Sequence, residues 1–315
     1  MTAVDTTRAD WLAWRRDGIG GSDIAAILGL SPWASPWSVW ADKAGLLPPE
    51  PDNEAMAAGR WLEAAIGPWF THETGLVVAG EQTMVTHPAH PWARCTVDGF
   101  VGHTQRQIDL LNAEGVIEIK VTGPGRRWDG PPPHYVAQVQ WQLACTGYDR
   151  AWLTVLMGRR LDIHEITRDD DDIAFMLARA DDFWHDHVVT GTPPATDGHD
   201  ATLRAIAAVH PGHVEGQAVE ADDVLRRTID YWRAAKAAEK DAAAEVALHA
   251  AAITAALGDA EELTVDGQRA VSWRAQSARR LDAKALTAAH PDIAAGFTRE
   301  TTYRVLRNHA PKETT

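Results

Sequence analysis

Two short segments, Thr96-Val97-Asp98-Gly99 and Ile117-Glu118-Ile119-Lys120, decide the fold. Both lie in runs typical of β-strands, and side chains at alternate positions of a strand share one face. Glu118 and Lys120 are therefore expected to point together, while the two isoleucines of the second segment point into the core. If Asp98 lies on the neighbouring strand, its carboxylate meets that of Glu118. The sequence thus predicts two carboxylates and an ammonium group at one place on a sheet.

Two carboxylates at such short range repel each other unless a hard cation lies between them. This arrangement suits magnesium-assisted phosphodiester hydrolysis, in which the cation neutralises the phosphate and lowers the pKa of a bound water. Lys120 would orient or help activate that water and stabilise developing charge, and the carbonyl of Ile119 could be a further ligand. For the Glu-x-Lys pattern alone, an ordinary half-exposed strand with a Glu–Lys neighbour pair is the favoured interpretation.

Further segments raise the specificity of the pattern. Together with them the sequence resembles the YqaJ-type viral recombinases, the family that includes lambda exonuclease, within the PD-(D/E)XK nucleases. The resemblance covers about residues 8 to 190, and five segments in order are more specific than any one alone. They are residues 14–26 (WRRDGIGGSDIAA), 59–63 (GRWLE), 98–99 (DG), 118–120 (EIK) and 135–142 (YVAQVQWQ).

The resemblance implies a role for each matching residue. Asp98 and Glu118 match metal ligands, and Lys120 matches the catalytic lysine. Glu63 matches a helix glutamate that contacts a metal directly or through water, and Gln138 matches a glutamine that lines the site. A polar stripe facing solvent is the alternative interpretation of Gln138.

The segment around Arg15, Arg16 and Ser22 looks like the family's pocket for a terminal 5′-phosphate. A helix N-terminus offers free N–H groups, and an adjacent arginine offers a fork of donors. The Arg-x-Gly element and the serine are separated by one residue fewer than the family pattern, so either arginine could be the equivalent one. Two surface arginines before a helix cap remain the alternative. Arg126-Arg127-Trp128 either contacts the DNA backbone or forms an exposed loop.

The predicted fold is α/β: a PD-(D/E)XK restriction-endonuclease-like core, with a small, mainly antiparallel mixed sheet flanked by helices, and a helical plus β-hairpin C-terminal extension. Two short helices are expected between Trp11 and Gly45, with Ser22 capping the first and Ser35-Pro36 starting the second. Longer helices are predicted over 54–74 and 134–146, and a hairpin loop between Gly102 and Gly115. Strands are predicted over 77–86, 93–101, 116–121, 151–157 and 162–167.

Three parts are predicted along the chain: a nuclease domain over 1–190, a Gly- and Pro-containing linker over 191–202, and a C-terminal region over 203–315. In the last part, one or two Ala-rich helices are expected over 222–257, followed by a hairpin with a type I′ turn at Asp266-Gly267. Apolar residues of the long helix follow a 4,3 spacing that charged residues interrupt, so packing on its own domain is favoured over a coiled coil.

The charge distribution is uneven. The formal net charge is −14, which argues against nucleic-acid binding, but residues 268–312 hold nine Lys or Arg and three acidic residues, a net of +6. This basic region is expected to guide the duplex or bind a partner, or else to neutralise the acidic nuclease domain. Its arginines and lysine of interest are Arg269, Arg274, Arg279, Arg280, Lys284, Arg304 and Arg307.

The expected activity follows from the resemblance: digestion of duplex DNA from an end, with 5′-to-3′ polarity, dependent on Mg²⁺ with Mn²⁺ as a substitute. A single-strand annealing protein is the expected partner, and an oligomer, a trimer in related enzymes, is implied. Two alternatives are a PD-(D/E)XK endonuclease or nickase and a non-catalytic DNA-binding scaffold. Two cysteines and no apparent signal peptide or membrane span favour a reducing, cytoplasmic location in a bacterial host, with the gene carried by a phage or prophage.

Overall fold

The structure is a computed structural model and describes residues 8–49, 53–109, 112–123 and 128–309. The chain divides between His210 and Pro211 into two compact units. The described elements of the first unit are α1 (Arg8–Arg16), α2 (Gly21–Ile27), α3 (Pro36–Lys43), α4 (Glu54–Thr74), β1 (Val77–Ala79), β2 (Thr83–Thr86), β3 (Arg94–Val97), β4 (Gly99–Gly102), α5 (Gln105–Asp109), β5 (Gly115–Thr122), α6 (Pro133–Thr146), β6 (Arg150–Met157), β7 (Arg160–Thr167), α7 (Asp170–Phe183), continued by a π-helical turn (Trp184–Val189), and α8 (Asp200–Val209).

The central sheet of the first unit has five strands in the order β1-β4-β5-β6-β7. β5 and β6 are parallel and are connected through α6, while the other neighbouring pairs are antiparallel. A parallel pair needs a crossover connection, which the amphipathic α6 provides. The predicted α/β fold with a small mixed sheet flanked by helices is confirmed.

Apolar residues cover both faces of this sheet. Ile117 and Ile119 of β5 belong to a cluster that includes Ile66 and Phe70 of α4. A larger cluster on the other face contains residues of α2, α3, α6 and α7. The strand alternation predicted for β5 is confirmed, because Glu118 lies opposite these isoleucines and contacts α6.

Two of the predicted strands are interrupted. The stretch 93–101 is divided at Asp98, because β3 pairs with β2 in a separate hairpin whereas β4 pairs with β1 and β5. The stretch 77–86 is likewise divided into β1 and β2. Gly99 allows the close passage beside β1, since a Cβ at this position would lie 2.7 Å from Val78 Cγ1. Asp98 therefore lies at the junction between two sheets, and not within a continuous strand.

Helix α4 has the predicted bounds, and α6 begins at Pro133, one residue before its predicted start. Ser35 caps α3 as predicted by accepting a hydrogen bond from Ser38 N. The predicted cap at Ser22 is wrong: α2 begins at Gly21 with Gly20 as its cap residue, because the carboxylate of Asp23 accepts the Gly20 N–H. The elements that were not predicted include α1 and, within the expected hairpin loop, α5.

The boundary between the two compact units lies after the predicted linker 191–202. Helix α8 packs against α3, and Thr202 Oγ1 donates a buried hydrogen bond of 2.7 Å to Ser35 Oγ. The residues that begin the predicted C-terminal region therefore form part of the first unit. Gly191, Pro193 and Pro194 favour a linker by composition, but composition does not reveal that α8 packs against α3.

The second unit contains α9 (Asp223–Leu257), β8 (Glu262–Val265), β9 (Gln268–Ser272), α10 (Ala283–Ala289) and α11 (Pro291–Phe297). β8 and β9 form the predicted hairpin, and Asp266 and Gly267 both have positive φ, as a type I′ turn requires. The long helix is continuous, and Arg233 on it donates to Asn308 and to the carbonyl of His309. Of the α9 side chains only Leu257 is buried, and Ile229 and Trp232 are half-buried, so most of the apolar seam is exposed and does not pack on its own domain as expected.

Candidate active site

A cavity of about 750 Å³ opens beside the end of β5 in the first unit. Its walls come from α1, α2, α4, β3, β5, α6 and the turn between β1 and β2. The predicted residues that line it are Arg15, Ser22, Glu63, Asp98, Glu118, Ile119, Lys120 and Gln138. Arg16 is exposed and is not among the described residues that line this cavity. Arg126 and Arg127 lie outside the described residues.

Glu118 is held by three donors. Lys120 Nζ forms an ion pair with its Oε1, and Gln138 Nε2 donates to the same oxygen over 2.5 Å. Gln142 Nε2 donates to Oε2, also over 2.5 Å. A carboxylate has acceptor sites on both oxygens, so it can take all of these contacts at once. The buried Glu118 carboxylate is therefore fixed in orientation by β5 on one side and α6 on the other.

Asp98 faces the same cavity from the β3–β4 junction. Its Oδ2 accepts a 2.7 Å hydrogen bond from the Ile119 backbone N–H, which ties it to β5. Its Oδ1 accepts from Gln82 Nε2 over 3.1 Å. Burial and the nearby charge of Glu118 raise the pKa of Asp98 from 3.8 to about 8. Asp98 is thus a carboxyl group that favours its neutral form unless a positive charge is added nearby.

Glu63 reaches the site from the middle of α4. The same Gln82 amide donates to its Oε2 over 3.4 Å, so a single side chain connects the Glu63 and Asp98 carboxyl groups. Burial raises the pKa of Glu63, and the charge of Glu118 acts in the same direction. The structure therefore brings together the three predicted acidic residues, each with a restrained carboxyl group.

Lys120 stays positively charged in this cavity. Burial alone would lower its pKa, but the carboxylates of Glu118 and Asp98 outweigh that effect and raise it to about 12. Its ammonium nitrogen also lies 5.4 Å from the centre of the Tyr135 ring, a favourable cation–π position. Because it retains its proton at neutral pH, Lys120 is suited to hold a water or to stabilise negative charge.

The predicted phosphate pocket lies at another wall of the same cavity. Arg15 Nη2 donates to Ser22 Oγ over 3.1 Å. The segment between them is fixed to β3, because Ile19 exchanges backbone hydrogen bonds with Trp92 and Arg94. The sequence left Arg15 and Arg16 as alternatives, and Arg15 is the one whose side chain reaches Ser22 and the cavity.

A buried ion pair between Lys43 and Asp23 contacts Arg15 of this pocket. Lys43 Nζ lies 2.6 Å from Asp23 Oδ2, with the two side chains 0% and 7% exposed. Lys43 also donates to the carbonyl of Arg15 over 2.9 Å, and the Arg15 guanidinium lies 3.7 Å from the other Asp23 oxygen. Burial would raise the pKa of Asp23, but Lys43 and Arg15 together hold it below its usual value.

The donor atoms suit a hard divalent cation. Carboxylate, amide and backbone carbonyl oxygens line the site, and these are the ligands that Mg²⁺ prefers. Among the described residues, no group of three or more His, Cys, Asp or Glu side chains has metal-binding geometry. Mg²⁺ does not require one, since it is bound through one or two carboxylates and keeps several waters. The elevated pKa of Asp98 is a further sign that this carboxyl group fits beside a cation.

Sequence reasoning missed four residues of this region. Gln142 lies within a matched segment and shares a helix face with Gln138, but it had no assigned role. Asp23 lies within the matched segment but had no assigned role. Gln82 and Lys43 carried no local signal, because their positions in the site depend on how distant elements pack.

Comparison with known proteins places these residues in a family context. Residues 10–149 match the model of the YqaJ-like viral recombinase domain, and the predicted resemblance is confirmed. The uncharacterized protein YqaJ of Bacillus subtilis (strain 168) is 28% identical over 308 residues, which span 95% of this chain and 93% of YqaJ. The similarity to YqaJ therefore extends into the second unit.

Two solved structures match part of this chain. The alkaline exonuclease LHK-Exo from Laribacter hongkongensis has 24% sequence identity and a TM-score of 0.47, covering 58% of this chain and 94% of that one. A phage related exonuclease from Haemophilus somnus 129PT has 12% identity and a TM-score of 0.38, covering 55% of this chain and 96% of that one.

Within the described residues, no helix is both long and apolar enough to cross a membrane.

Proposed function

We propose that the protein is a metal-dependent deoxyribonuclease that degrades one strand of duplex DNA from an end. The observation that carries the proposal is the arrangement of Asp98, Glu118 and Lys120 on one wall of a cavity whose other wall holds Arg15 and Ser22. Acidic residues beside a positively charged lysine suit metal-assisted phosphodiester hydrolysis. The arginine at the other wall of the cavity suits binding of a terminal phosphate. The match to a viral recombinase domain supports a role in DNA processing.

The reaction is the addition of water across a phosphodiester. The water oxygen forms a bond to phosphorus, the P–O3′ bond breaks, and the leaving oxygen takes up a proton. Lys120, as a retained cation, orients the water and stabilises the negative charge that develops on the phosphate oxygens. Gln138 and Gln142 keep the Glu118 carboxylate in place during this step.

Asp98, Glu118, the carbonyl of Ile119 and, directly or through water, Glu63 would hold Mg²⁺, with Mn²⁺ as a substitute. When bound, the cation supplies neutralisation of the phosphate charge and a lower pKa for water. Its charge would also offset the burial and the Glu118 charge that together raise the pKa of Asp98.

Arg15 and Ser22 would bind the 5′-phosphate of the strand to be degraded, which gives 5′-to-3′ polarity. The Arg15 guanidinium can present two parallel donors to a phosphate. The Asp23–Lys43 pair holds the Arg15 backbone and side chain from below. Arg16 is exposed and takes no part in this proposal.

The domain match supports a proposal for the biological setting. We propose resection of DNA ends for recombination by single-strand annealing, in concert with an annealing protein, in the cytoplasm of a bacterial host that carries the gene on a phage or prophage. An oligomer, such as a trimer, is part of the proposal. The nuclease function is assigned to residues 1–190, and DNA guidance, partner binding or oligomerisation to residues 203–315.

The decisive experiment compares linear and circular DNA. Full-length protein is incubated with 5′-phosphorylated, end-labelled linear duplex and with closed plasmid, each with Mg²⁺ or with EDTA. We expect mononucleotide release from the linear duplex in Mg²⁺ alone and an intact plasmid. Cleavage of the plasmid would instead favour the endonuclease or nickase alternative. No cleavage of either DNA in Mg²⁺ or Mn²⁺ would contradict the proposed activity and favour a DNA-binding scaffold.

A further inference from the structure

Gln82 lies in the turn between β1 and β2, outside the five segments on which the sequence resemblance was based. Its side-chain amide donates to two acidic residues at once, Asp98 Oδ1 over 3.1 Å and Glu63 Oε2 over 3.4 Å. These residues come from different elements, the β3–β4 junction and α4. The amide N–H₂ group is therefore the donor that joins two carboxyl groups across the cavity.

The backbone of Gln82 is also unusual. Its φ is +52°, and among the described residues the other non-glycine residue with positive φ is Asp266 in the hairpin turn of the second unit. A residue with a long side chain rarely adopts this conformation, and such outliers concentrate at functional sites. The left-handed backbone directs the side chain towards Glu63 and Asp98, while the residue itself is exposed. Surrounding packing thus does not fix the amide.

We propose that Gln82 is a ligand-supplying residue of the divalent cation site, an inference that rests on the proposed metal-dependent function. In the cation-free protein its N–H₂ group joins Glu63 and Asp98. When a cation binds between these carboxylates, the amide rotates and presents Oε1 to the cation, directly or through one water. The protein thereby adds a neutral oxygen donor to a site with few carboxylates.

The chemistry of the amide supports this exchange. A carboxamide carries a donor group and an acceptor oxygen on one carbon, so a half-turn about its last side-chain bond replaces one by the other. A cation between Glu63 and Asp98 satisfies the two acceptors that the N–H₂ group satisfies without it. Oxygen donors of neutral side chains are ordinary ligands of hard cations. Because the side chain is exposed, the rotation displaces no packed group.

Three substitutions in the full-length protein separate this role from simple hydrogen bonding. Gln82→Met keeps the length of the side chain and removes both donor and acceptor. Gln82→Glu retains oxygen atoms but cannot donate when ionised. Gln82→Asn retains the amide and tolerates a left-handed backbone, but its shorter side chain does not reach both carboxyl groups. Because asparagine tolerates this backbone conformation, weaker binding by the Asn variant would reflect the shorter side chain and not a failure to fold.

The measurement is Mn²⁺ binding without DNA, followed by the electron paramagnetic resonance signal of free Mn²⁺. We expect Gln82→Met and Gln82→Asn to weaken binding about tenfold or more, the range found for residues that support metal ligands. Gln82→Glu should bind at least as tightly as the wild type, because it still offers oxygen.

Each outcome has a distinct meaning. Equal Mn²⁺ binding by the wild type and by Gln82→Met overturns the inference and leaves the proposed function standing. Equal weakening by Gln82→Glu and Gln82→Met also overturns it, since the donor group alone would then matter. If the wild type binds no Mn²⁺, both the proposed function and the inference are contradicted. Weak binding by Met and Asn with retained binding by Glu supports Gln82 as an oxygen donor.

Discussion

Gln142 Nε2 donates a 2.5 Å hydrogen bond to Oε2 of Glu118, and the two side chains are only 1% and 2% exposed. The same Gln142 amide also donates to the carbonyl of Thr96, 3.2 Å away on β3. A residue of α6 thus connects β3, which ends just before Asp98, with Glu118 on β5. Gln138, one helical turn earlier, contacts the other Glu118 oxygen from the cavity wall.

Gln142→Met should lower the free energy of unfolding more than Gln138→Met does. The first change leaves a buried carboxylate oxygen without its donor, which costs about 1–3 kcal/mol. The second change affects a partly exposed side chain, so its main effect should fall on DNA cleavage. Urea denaturation and initial cleavage rates, measured on both variants, check the expected order. A Gln142→Met variant as stable as the wild type would contradict the structural role of this bond.

Asp98→Asn should abolish metal-dependent cleavage and leave the protein folded. The asparagine carbonyl can still accept the Ile119 N–H, so the β3–β4 junction keeps its hydrogen bond. Glu118→Gln is the matching change on β5, and it keeps the shape of the side chain but leaves one acceptor oxygen for the three donors that surround it. Cleavage assays in Mg²⁺ and circular dichroism test both. Near-normal turnover by either variant would refute the site assignment.

Lys120→Ala should reduce the cleavage rate by about 10²-fold or more, the loss typical when a group that stabilises transition-state charge is removed. Because the pKa of Lys120 is raised to about 12, its charge is present throughout the neutral range. The wild-type rate should therefore show no loss that could be attributed to Lys120 as pH rises towards 9. Single-turnover rates over this range test the prediction, and a small effect of Lys120→Ala would assign charge stabilisation elsewhere.

The cation-free protein should lose stability as pH rises. The pKa of Asp98 is about 8 in the folded protein against the usual 3.8, so between these values the folded state holds more protons than the unfolded state. The free energy of unfolding then decreases with increasing pH across this interval, and the raised pKa of Glu63 acts in the same direction.

Urea denaturation in EDTA at about pH 5 and about pH 9 tests this dependence. Asp98→Asn should flatten it, because the variant has no carboxyl group to titrate. Mg²⁺ should stabilise the wild type more at the higher pH, since cation binding competes with the proton. A wild-type stability that rises with pH in EDTA would contradict the environment described for Asp98.

The part of the site that the sequence predicted is the part governed by strand geometry. Glu118 and Lys120 share a face because they are two residues apart on a strand, whatever the rest of the chain does. The interruption at Asp98 could not be predicted, because it arises from β3 and β4 pairing with different partners. The same holds for α8, whose packing on α3 through Thr202 and Ser35 moves the boundary between units past the apparent linker.

Residues held by long-range packing were invisible to local patterns. Lys43 reads as an ordinary basic residue at the end of a helix, yet it is fully buried against Asp23. Gln82 lies in a turn with no motif, and only the approach of α4 to the β3–β4 junction gives its amide two partners. A single sequence encodes such contacts through the whole fold, so periodicity and spacing do not reveal them.

Arg15→Ala should remove the preference for 5′-phosphorylated over 5′-hydroxyl ends, whereas Arg16→Ala should retain it. The reason is that Arg15 lines the cavity and donates to Ser22, while Arg16 is exposed. The two residues are neighbours of equal charge, so Arg16→Ala is a matched control for the loss of one positive charge. Competition between labelled duplexes with the two end types gives the preference directly. Loss of preference in Arg16→Ala alone would reverse the assignment.

Five of the basic residues singled out in the second unit fall into two groups. Arg269 and Arg274 form ion pairs with Glu261 and Glu262 of the hairpin region. For Arg279, Arg280 and Lys284, no ion pair occurs among the described residues, and all three are exposed. The second group therefore has charge available for DNA phosphates, whereas the first is already neutralised.

Replacing Arg279, Arg280 and Lys284 by alanine in the full-length protein should weaken DNA binding at low salt and leave sequence preference unchanged. Each lost phosphate contact should reduce the slope of log K against log salt by about 1. Arg274→Ala is the control, because its charge is compensated by glutamates, and its slope should match the wild type. Fluorescence anisotropy across a salt series measures these slopes. An unchanged slope in the triple variant would exclude DNA guidance by these residues and leave partner binding or oligomer assembly as the role of the second unit.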